Sequence, residues 1–253
     1  MSLKFSIVTP SLNQGMFIKD TIDSVLKQNY DNYEHIVMDG GSVDNTEDIV
    51  KNYPGVKYIR EEDTGPADAI NKGFAMSTGE IFGWINSDDY YEKNIFEGIN
   101  SIFESNPEIG MVIGNLTVIN QEGKILLKEK TYPYNRDYLI HVNADVIRQP
   151  CTFFRRDLFY KAGKLNINLK YVFDYDLFIR MLGFTEVMYT DQYYAVYREH
   201  DNTLTRLNLR KQSSEIRKVS AKYGGKLTDQ IFITYLKKNL FPYKFTFEKP
   251  KKD

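Results

Sequence analysis

Short apolar segments alternate with helical patterns through the first third of the chain, and this rhythm restricts the fold more than any other feature. Strands are predicted at residues 5–9, 35–38, 56–59 and 81–85, with helices between them at 18–26, about 44–52 and 66–76. Repeated βα units form a mostly parallel sheet with helices on both faces. After residue 106 two strand patterns, at 111–119 and 124–130, face each other across a turn. We therefore expect an α/β fold with a Rossmann-like, mostly parallel sheet flanked by helices, a small mixed second half and C-terminal helices.

The fourth predicted strand stops at two adjacent carboxylates, in the segment Asn86-Ser87-Asp88-Asp89. A strand delivers such residues to the crevice at the carboxyl edge of an open α/β sheet, where ligands bind. Neighbouring carboxylates are costly there unless a positive charge neutralises them, and a hard divalent cation with oxygen ligands does so. The other interpretation is an acidic loop that caps the next helix, since Asp and Ser are favoured at helix N-termini.

Three further polar loops follow the first three strands, at residues 10–13, 39–46 and 63–73. In the second loop the paired glycines let the backbone approach a ligand, and Asp39 can accept hydrogen bonds from a base or ribose. Each loop taken alone could also be turn chemistry. The chain has no Gly-x-Gly-x-x-Gly after the first strand and no Gly-Lys-Ser/Thr, which argues against a dinucleotide-dependent dehydrogenase and a P-loop enzyme.

Cysteine content, hydropathy and charge indicate the cellular compartment of the chain and the surfaces it could bind. Cys151 is the only cysteine, which excludes an intrachain disulfide and fits a reducing compartment. The first residues lead directly into a strand and no apolar run is long enough to span a bilayer, so we expect a cytoplasmic protein. Residues 206–253 contain 13 Lys or Arg against 4 Asp or Glu. Such a basic segment could approach anionic lipid or a phosphorylated substrate, or form a solvated helical surface.

Six segments, taken in order, resemble the family-2 inverting glycosyltransferases of the GT-A fold. They cover residues 6–13, 39–42, 63–73, 86–89, 173–180 and 197–202. The resemblance extends from residue 5 to about 205, which is most of the chain. Within the family, the chain is most similar to bacterial transferases that build capsule, exopolysaccharide or O-antigen.

The resemblance implies that the donor is a nucleoside-diphosphate sugar, in particular a UDP-sugar. The first two loops would hold uridine, with Asp39 on the uracil. Lys72 on the third helix would meet a phosphate, unless it is only a surface lysine. The donor-binding residues implied in this way are Pro10, Ser11, Asn13, Asp39, Gly41, Asp68, Lys72, Asn86, Ser87 and Asp88.

In this family an Asp-x-Asp element binds the metal that bridges the donor diphosphate. Here Asn86 occupies the first position, and the resemblance implies Asp89 as the main metal ligand, with Asp88 directed at the sugar or ribose. Either Mg²⁺ or Mn²⁺ suits oxygen ligands and a diphosphate. His200 would be a further ligand for Mn²⁺, with a histidine in a surface loop as the alternative.

Inversion at the sugar requires a general base that deprotonates the acceptor hydroxyl. In the family this base is the Asp of a Glu-Asp pair that opens a helix. Here the pair is Phe173-Asp174, so the Glu is missing and the resemblance implies Asp174 as the catalytic base. A plain N-terminal helix cap is the alternative for Asp174, and we expect Asp176 to be structural.

These expectations divide the chain into a GT-A catalytic domain, residues 1–205, and a basic, aromatic-rich helical extension, residues 206–253. Within the catalytic domain, residues 1–106 would bind the nucleotide, and residues 107–205 would supply the acceptor and catalytic half. The acceptor would be a saccharide or a lipid-linked saccharide, with no nucleic-acid partner. The extension could touch the inner face of the plasma membrane, or its aromatic residues could pack on the domain or a partner subunit.

Two other functions compete with an inverting glycosyltransferase. A non-catalytic nucleotide-sugar-binding or scaffold subunit would explain why Asn86 and Phe173 depart from the acidic pattern, although Asp88, Asp89 and Asp174 are retained. A sugar-nucleotide nucleotidyltransferase would need a Gly-rich, basic triphosphate loop after the first strand, and residues 10–15 do not provide one.

Overall fold

The computed structural model describes residues 2–144, 146–201, 203 and 208–240, with side chains up to residue 236. Its strands are β1 Phe5–Ser11, β2 Tyr33–Asp39, β3 Val56–Arg60, β4 Ile81–Trp84, β5 Tyr90–Tyr91, β6 Met111–Asn120, β7 Ile125–Glu129, β8 Thr152–Arg155 and β9 Val187–Glu199. Its helices are α1 Ile18–Leu26, α2 Thr46–Val50, α3 Pro66–Ala75, α4 Ile95–Ser105, α5 Arg136–His141, α6 Arg156–Ala162, α7 Phe173–Met181, α8 Leu209–Lys222 and α9 Gln230–Leu240. A 3₁₀ turn, Gln149–Cys151, precedes β8.

The strands form one nine-stranded sheet in the order β3-β2-β1-β4-β8-β6-β9-β5, with β7 paired to β6. Strands β1 to β4 are mutually parallel, as the βα rhythm predicts. Strand β8 runs antiparallel between β4 and β6, and the long strand β9 then pairs in parallel with β6. The predicted α/β class with a mixed second half is therefore confirmed.

The main departure from the predicted boundaries is at the end of β1, which continues through Pro10 to Ser11. The Val8 carbonyl accepts the Ile85 N–H at 3.0 Å, so Val8 presents its backbone to β4. Pro10 presents its nitrogen to the same side two residues later, where β4 has already ended at Trp84. A proline fits this strand because no ladder hydrogen bond is required of it there.

The core beside β4 is aromatic and brings helix α7 to the end of that strand. Phe74 of α3 stacks on Phe82 of β4 with ring centroids 4.4 Å apart, and both side chains are fully buried. Trp84, the last residue of β4, contacts Phe178 of α7 at a centroid distance of 6.1 Å. This packing sets α7 against the strand whose following loop carries Asn86 to Asp89.

Helix α8 is joined to α7 through a buried carboxylate. Asp176 is 1% exposed, and its oxygens meet Arg180 at 2.8 Å, Lys222 at 3.0 Å and the Tyr223 hydroxyl at 2.9 Å. Burial by itself would raise the pKa of Asp176, but these partners hold it below its usual value. The expectation that Asp176 is structural agrees with these contacts.

Helix α8 of the C-terminal extension packs apolar side chains on the catalytic domain. Ile216 and Val219 are buried, and Tyr223 packs on the core. The predicted boundary at residue 205 lies outside the described residues, as do Leu207 and the aromatic residues after position 240 (Phe241, Tyr243, Phe245, Phe247). Within the described part of the chain, no helix is both long and apolar enough to cross a membrane.

Two helical glycines give a matched test of this packing. A Cβ at Gly73 in α3 would lie 2.5 Å from a methyl group of buried Val8, whereas at Gly98 in α4 the nearest atom is the flexible Gln192 Oε1 at 3.4 Å. We expect Gly73→Ala to lower the free energy of unfolding by about 1–3 kcal/mol through overpacking. Gly98→Ala should raise it by about 0.5–1 kcal/mol, because alanine loses less backbone entropy.

Denaturant unfolding at 25 °C measures both changes. Equal effects of the two substitutions would contradict the close approach of α3 to β1.

Candidate active site

The first two predicted loops are bound to each other at the carboxyl ends of β1 and β2, where Ser11 and Asp39 are register partners. Asn13 makes the connection: its N–H donates to Ser42 Oγ at 2.8 Å, and its Oδ1 accepts the Val43 N–H at 2.8 Å. Asn13 adopts a left-handed conformation with φ of 54°, which asparagine tolerates better than most residues. The structure therefore brings the predicted residues of these two loops together. The surface formed by residues 11–13 and 40–43 is called the rim below.

Asp39 lies beneath this rim and is fully buried. One of its oxygens accepts hydrogen bonds from the Ser42 N–H at 3.0 Å and the Ser42 hydroxyl at 2.5 Å, and the other accepts the Tyr58 hydroxyl at 2.5 Å. Burial and the bond to Asp39 raise the pKa of Tyr58. The carboxylate is thus held rigidly, and its contact with a base remains a prediction.

Two features of the same rim suit a bound ligand. The buried Ser11 Oγ has no hydrogen-bond partner among the described residues, and an orphaned buried hydroxyl is costly unless a ligand or water satisfies it. Gly41 has φ of +101°, and a Cβ built there would meet nothing within 4 Å. Its backbone therefore faces open space, as expected if the paired glycines of the second loop let the backbone approach a ligand.

The third loop carries Asp63, Asp68 and Lys72 and touches the second. A Cβ at Gly40 would lie 2.5 Å from Asp63 Oδ2, so a larger residue there would require the Asp63 side chain to move. Asp68 accepts the Thr64 N–H at 3.1 Å and lies 3.5 Å from Lys72 Nζ. Lys72 also pairs with Glu61 at 2.9 Å, so neighbouring carboxylates already balance its charge. To bind a phosphate, Lys72 would have to break its ion pairs with Asp68 and Glu61.

The loop after β4 presents its two adjacent carboxylates differently. Asp88 keeps 17% of its side chain exposed, and its Oδ2 lies 3.0 Å from His200 Nε2. Asp89 is fully buried: Oδ1 accepts the Arg198 N–H at 2.9 Å, and Oδ2 faces the Asn86 amide at 3.3 Å. Burial and the charge of Asp88 raise the pKa of Asp89.

Asp89, the expected main metal ligand, has no exposed surface and its carboxylate bonds to Arg198 and Asn86, so its role as a ligand stays a prediction. Asp88 and His200 are the pair that the structure brings together, and the contact of the imidazole with the Phe17 ring, 4.9 Å between centroids, fixes its orientation. No group of three or more His, Cys, Asp or Glu side chains suited to a metal occurs in the described ranges. A cation here would take its remaining ligands from a diphosphate and water, as Mg²⁺ commonly does.

Arg198 is a residue of the site that the sequence does not reveal, although it lies in the segment 197–202 that resembles the family. Its guanidinium donates to the Asp88 carbonyl at 3.1 Å and the Gln121 carbonyl at 3.2 Å, and pairs with Asp20 at 2.7 Å. It also lies over the Phe17 ring, 5.0 Å from its centroid. Only long-range contacts reveal that Arg198 joins these residues, since they come from three separate parts of the chain: the start of α1, the loop after β4 and the β6–β7 turn.

The predicted base, Asp174, lies on the first turn of α7 and is partly exposed. Its Oδ1 accepts the N–H of Tyr175 at 2.8 Å. Burial raises the pKa of Asp174 to about 6, within reach of neutral pH. Nearby, the buried Tyr134 hydroxyl has no hydrogen-bond partner among the described residues, and the charge of Asp174 contributes after burial and Tyr189 to raising the pKa of Tyr134.

The hydrogen bond between Tyr58 and Asp39 can be tested with a matched pair of tyrosines. Tyr58→Phe should lower the free energy of unfolding by about 1.5–3 kcal/mol, because a buried carboxylate loses a charge-assisted hydrogen bond. Tyr53 donates to the surface carboxylate of Asp23 at 3.1 Å, so Tyr53→Phe should change stability by about 1 kcal/mol or less. Urea unfolding measures both, and an equal cost would show that Asp39 does not depend on Tyr58.

Comparison with known proteins identifies the family. Residues 6–163 match the family described as glycosyl transferase family 2, a range that includes the three loops and Asn86 to Asp89 but stops before Asp174 and His200. An uncharacterized glycosyltransferase of Rickettsia typhi is 31% identical over 235 residues, covering 90% of this chain and 74% of the relative. Another, from Rickettsia felis, is 26% identical over 77% of this chain, which spans only 34% of that protein.

Solved structures share the fold at low sequence identity. TarS of S. aureus (residues 1–349, in complex with UDP-GlcNAc) superposes with a TM-score of 0.71 at 17% identity, covering 97% of this chain and 77% of that one. The mannosyltransferase PcManGT of Pyrobaculum calidifontis, in complex with GDP-Man and Mn²⁺, gives 0.62 at 16% identity over 93% and 70%. The predicted GT-A fold is thereby confirmed. The chain belongs to glycosyl transferase family 2 and is a glycosyltransferase.

Proposed function

We propose that the chain is an inverting glycosyltransferase that moves a sugar from a UDP-sugar to a saccharide or lipid-linked acceptor in cell-surface polysaccharide synthesis. The observation that carries this proposal is Asp174, a partly exposed carboxylate with its pKa raised to about 6, on a helix that packs against the end of β4. A general base works best when its pKa lies near the operating pH. The family membership and the UDP-GlcNAc in the similar TarS structure support the donor class.

The donor nucleoside would lie across the ends of β1 and β2. Supporting contacts are the unpartnered Ser11 hydroxyl, the open backbone at Gly41 and the rim formed by Asn13. Asp39 lies behind this rim, and both of its carboxylate oxygens already accept hydrogen bonds. It would bind the uracil by accepting one further hydrogen bond from the base. Pro10, Asp68 and Lys72 remain proposed members of the same donor site.

Asp88 and His200 would hold the divalent cation. An acidic oxygen and an imidazole nitrogen 3.0 Å apart fit Mn²⁺, and the oxygen with water also fits Mg²⁺. A bound cation supplies positive charge beside the diphosphate, which becomes more negative as the sugar leaves. Asn86 bonds to Asp89 within the loop that presents Asp88, and Asp89 anchors this loop to Arg198. Ser87 remains a proposed donor-binding residue.

Asp174 would take the proton of the acceptor hydroxyl. As the hydroxyl oxygen attacks the anomeric carbon from the face opposite the diphosphate, its proton passes to a carboxylate oxygen of Asp174. The bond from the anomeric carbon to the diphosphate oxygen breaks with its electron pair on the nucleotide. Attack from the opposite face inverts the configuration at the anomeric carbon.

A non-catalytic nucleotide-sugar-binding subunit is the competing function. The departures Asn86 and Phe173 favour it, and the raised pKa of Asp174 favours the enzyme. A screen of UDP-glucose, UDP-galactose and the two N-acetylhexosamine donors, assayed as UDP release with an oligosaccharide or lipid-linked acceptor, separates the two. Binding of a donor without turnover on any acceptor would support the subunit.

The cation site is tested by the binding of UDP rather than by activity. Mn²⁺ should strengthen UDP binding relative to EDTA, and Asp88→Asn should remove most of that gain, because the cation neutralises the diphosphate. His200→Gln should weaken the Mn²⁺ effect more than the Mg²⁺ effect, since imidazole suits Mn²⁺ better. Asp191→Asn, at a carboxylate 92% exposed on β9, is the control. Isothermal calorimetry that gives equal affinity in EDTA and Mn²⁺ would contradict the site.

The base is tested with a carboxylate in the same local setting. Asp157 lies in the first turn of α6 and bonds to the N–H of Leu158 at 2.8 Å, as Asp174 does to Tyr175. Asp174→Asn should reduce transfer by about 10²–10⁴-fold with UDP affinity unchanged, and Asp157→Asn should leave transfer near wild type. Near-normal transfer in Asp174→Asn would assign the base to another residue.

The pH dependence gives an independent check on the same residue. The base acts in its deprotonated form, so wild-type kcat/KM should fall as the pH drops through about 6, where Asp174 becomes protonated. An acid limb centred near pH 4, the range of an ordinary carboxylate, would contradict the raised pKa.

A further inference from the structure

Strand β7 exposes three consecutive aliphatic side chains. Ile125 is 55% exposed, Leu126 is 50% exposed and Leu127 is 45% exposed. Among the described strands, β7 pairs with β6 alone, so its other edge is free. Because successive side chains of a strand point to opposite faces, the aliphatic surface lies on both faces of the β6–β7 hairpin. An apolar run of this kind on a free edge indicates an interaction surface.

Lysines flank the apolar run on both sides. Lys124, Lys128 and Lys130 are all exposed, and Lys128 Nζ lies 5.1 Å from the centre of the Tyr193 ring. Two nearby acidic residues already have basic partners: Glu129 pairs with Arg148 at 2.7 Å, and Asp191 lies 3.8 Å from Lys130. A third acidic residue, Glu122, lies in the turn. The hairpin surface, defined as residues 124–128, therefore combines aliphatic side chains with positive charge.

This surface adjoins the candidate active site. The carbonyl of Gln121, in the hairpin turn, accepts a hydrogen bond from Arg198, which also binds the Asp88 carbonyl. The Gln121 side chain lies 3.8 Å from the sulfur of Met16, a residue 74% exposed just before α1. The turn that closes the hairpin thus lies beside Met16 and the loop that carries Asp88.

We propose that the hairpin surface docks the protein on an anionic lipid bilayer. Aliphatic side chains with lysines beside them suit the interface of such a membrane, where the apolar groups enter the headgroup region and the lysines meet anionic lipid. The docking surface is separate from the C-terminal extension and does not depend on the donor or on Asp174. It would hold the mouth of the site at the membrane surface.

Pairing with a second copy of the chain is the other use of a free edge, and the charges oppose it. An antiparallel pair of β7 strands centred on Leu126 sets Lys124 of each copy opposite Lys128 of the other. Like charges directly opposite destabilise a strand pair, and lysine on an edge strand is a known means of preventing such contacts. The same lysines favour an anionic bilayer.

Vesicle co-sedimentation with the full chain tests the proposal. The wild-type protein should pellet with vesicles of phosphatidylcholine and phosphatidylglycerol, less so at high salt, and weakly with phosphatidylcholine alone. Ile125→Ser should weaken the partition by about tenfold, because a half-exposed isoleucine no longer enters the bilayer. Ile167→Ser, at an isoleucine 49% exposed elsewhere, is the matched control and should bind as wild type.

The charge contribution has its own control pair. Lys124→Gln with Lys128→Gln should weaken binding and reduce its salt dependence, whereas Lys57→Gln with Lys93→Gln, at two other exposed lysines, should not. Calorimetric UDP affinity should be the same in all these variants. Vesicle binding and UDP binding are therefore measured separately. The membrane proposal can fail while UDP binding is confirmed, and UDP binding can fail while vesicle binding is confirmed.

A second measurement reports insertion directly. Because Cys151 is buried, a thiol-reactive polarity-sensitive dye would label Leu126→Cys selectively, and its emission should shift to the blue with anionic vesicles. The same dye on Ile167→Cys should not shift. The proposal is overturned by absence of wild-type binding, by equal behaviour of Ile125→Ser and wild type, or by concentration-dependent dimers that Ile125→Ser abolishes without vesicles present.

Discussion

The buried guanidinium of Arg198 holds the candidate site together. A cation of this size is costly to desolvate unless its N–H groups are paired, and three separate segments supply the acceptors, through the Asp88 carbonyl, the Gln121 carbonyl and the Asp20 carboxylate. Its own backbone N–H also binds Asp89. The loop after β4 can therefore keep its shape only when α1, the β6–β7 turn and β9 are all in place. The site forms as a result of the whole fold rather than of a local motif.

Much of the fold could be predicted from the sequence because local patterns specify it. Apolar runs and glycine-containing polar loops identify β1 to β4 and the helices between them, and residues 111–130 do form the predicted hairpin. The pairing of β6 with β9 could not be predicted in this way, since its strands are far apart in sequence. No local pattern predicts which strands of the second half become neighbours, because packing across the whole sheet decides it.

In the candidate site, the orientation of single side chains likewise could not be predicted from the sequence. Sequence can identify Asp88 and Asp89 as a polar pair after a strand, but the direction of each carboxylate depends on the loop backbone. The structure turns Asp89 inward to Arg198 and leaves Asp88 beside His200. The raised pKa of Asp174 is likewise a product of burial, which a sequence does not display. The donor, cation and base roles of these residues remain predictions.

The ion pairs of Asp176 have a consequence for how this chain can vary. Helix α7 carries Asp174, yet two of the partners that stabilise Asp176 on the same helix come from the end of α8: Lys222 by an ion pair and Tyr223 by a hydrogen bond. These residues lie outside the region matched by the family, which ends at residue 163. Substitutions in α8 can therefore shift the helix that bears Asp174 while the donor loops stay unchanged. The contact therefore couples the C-terminal helix α8 to the position of Asp174.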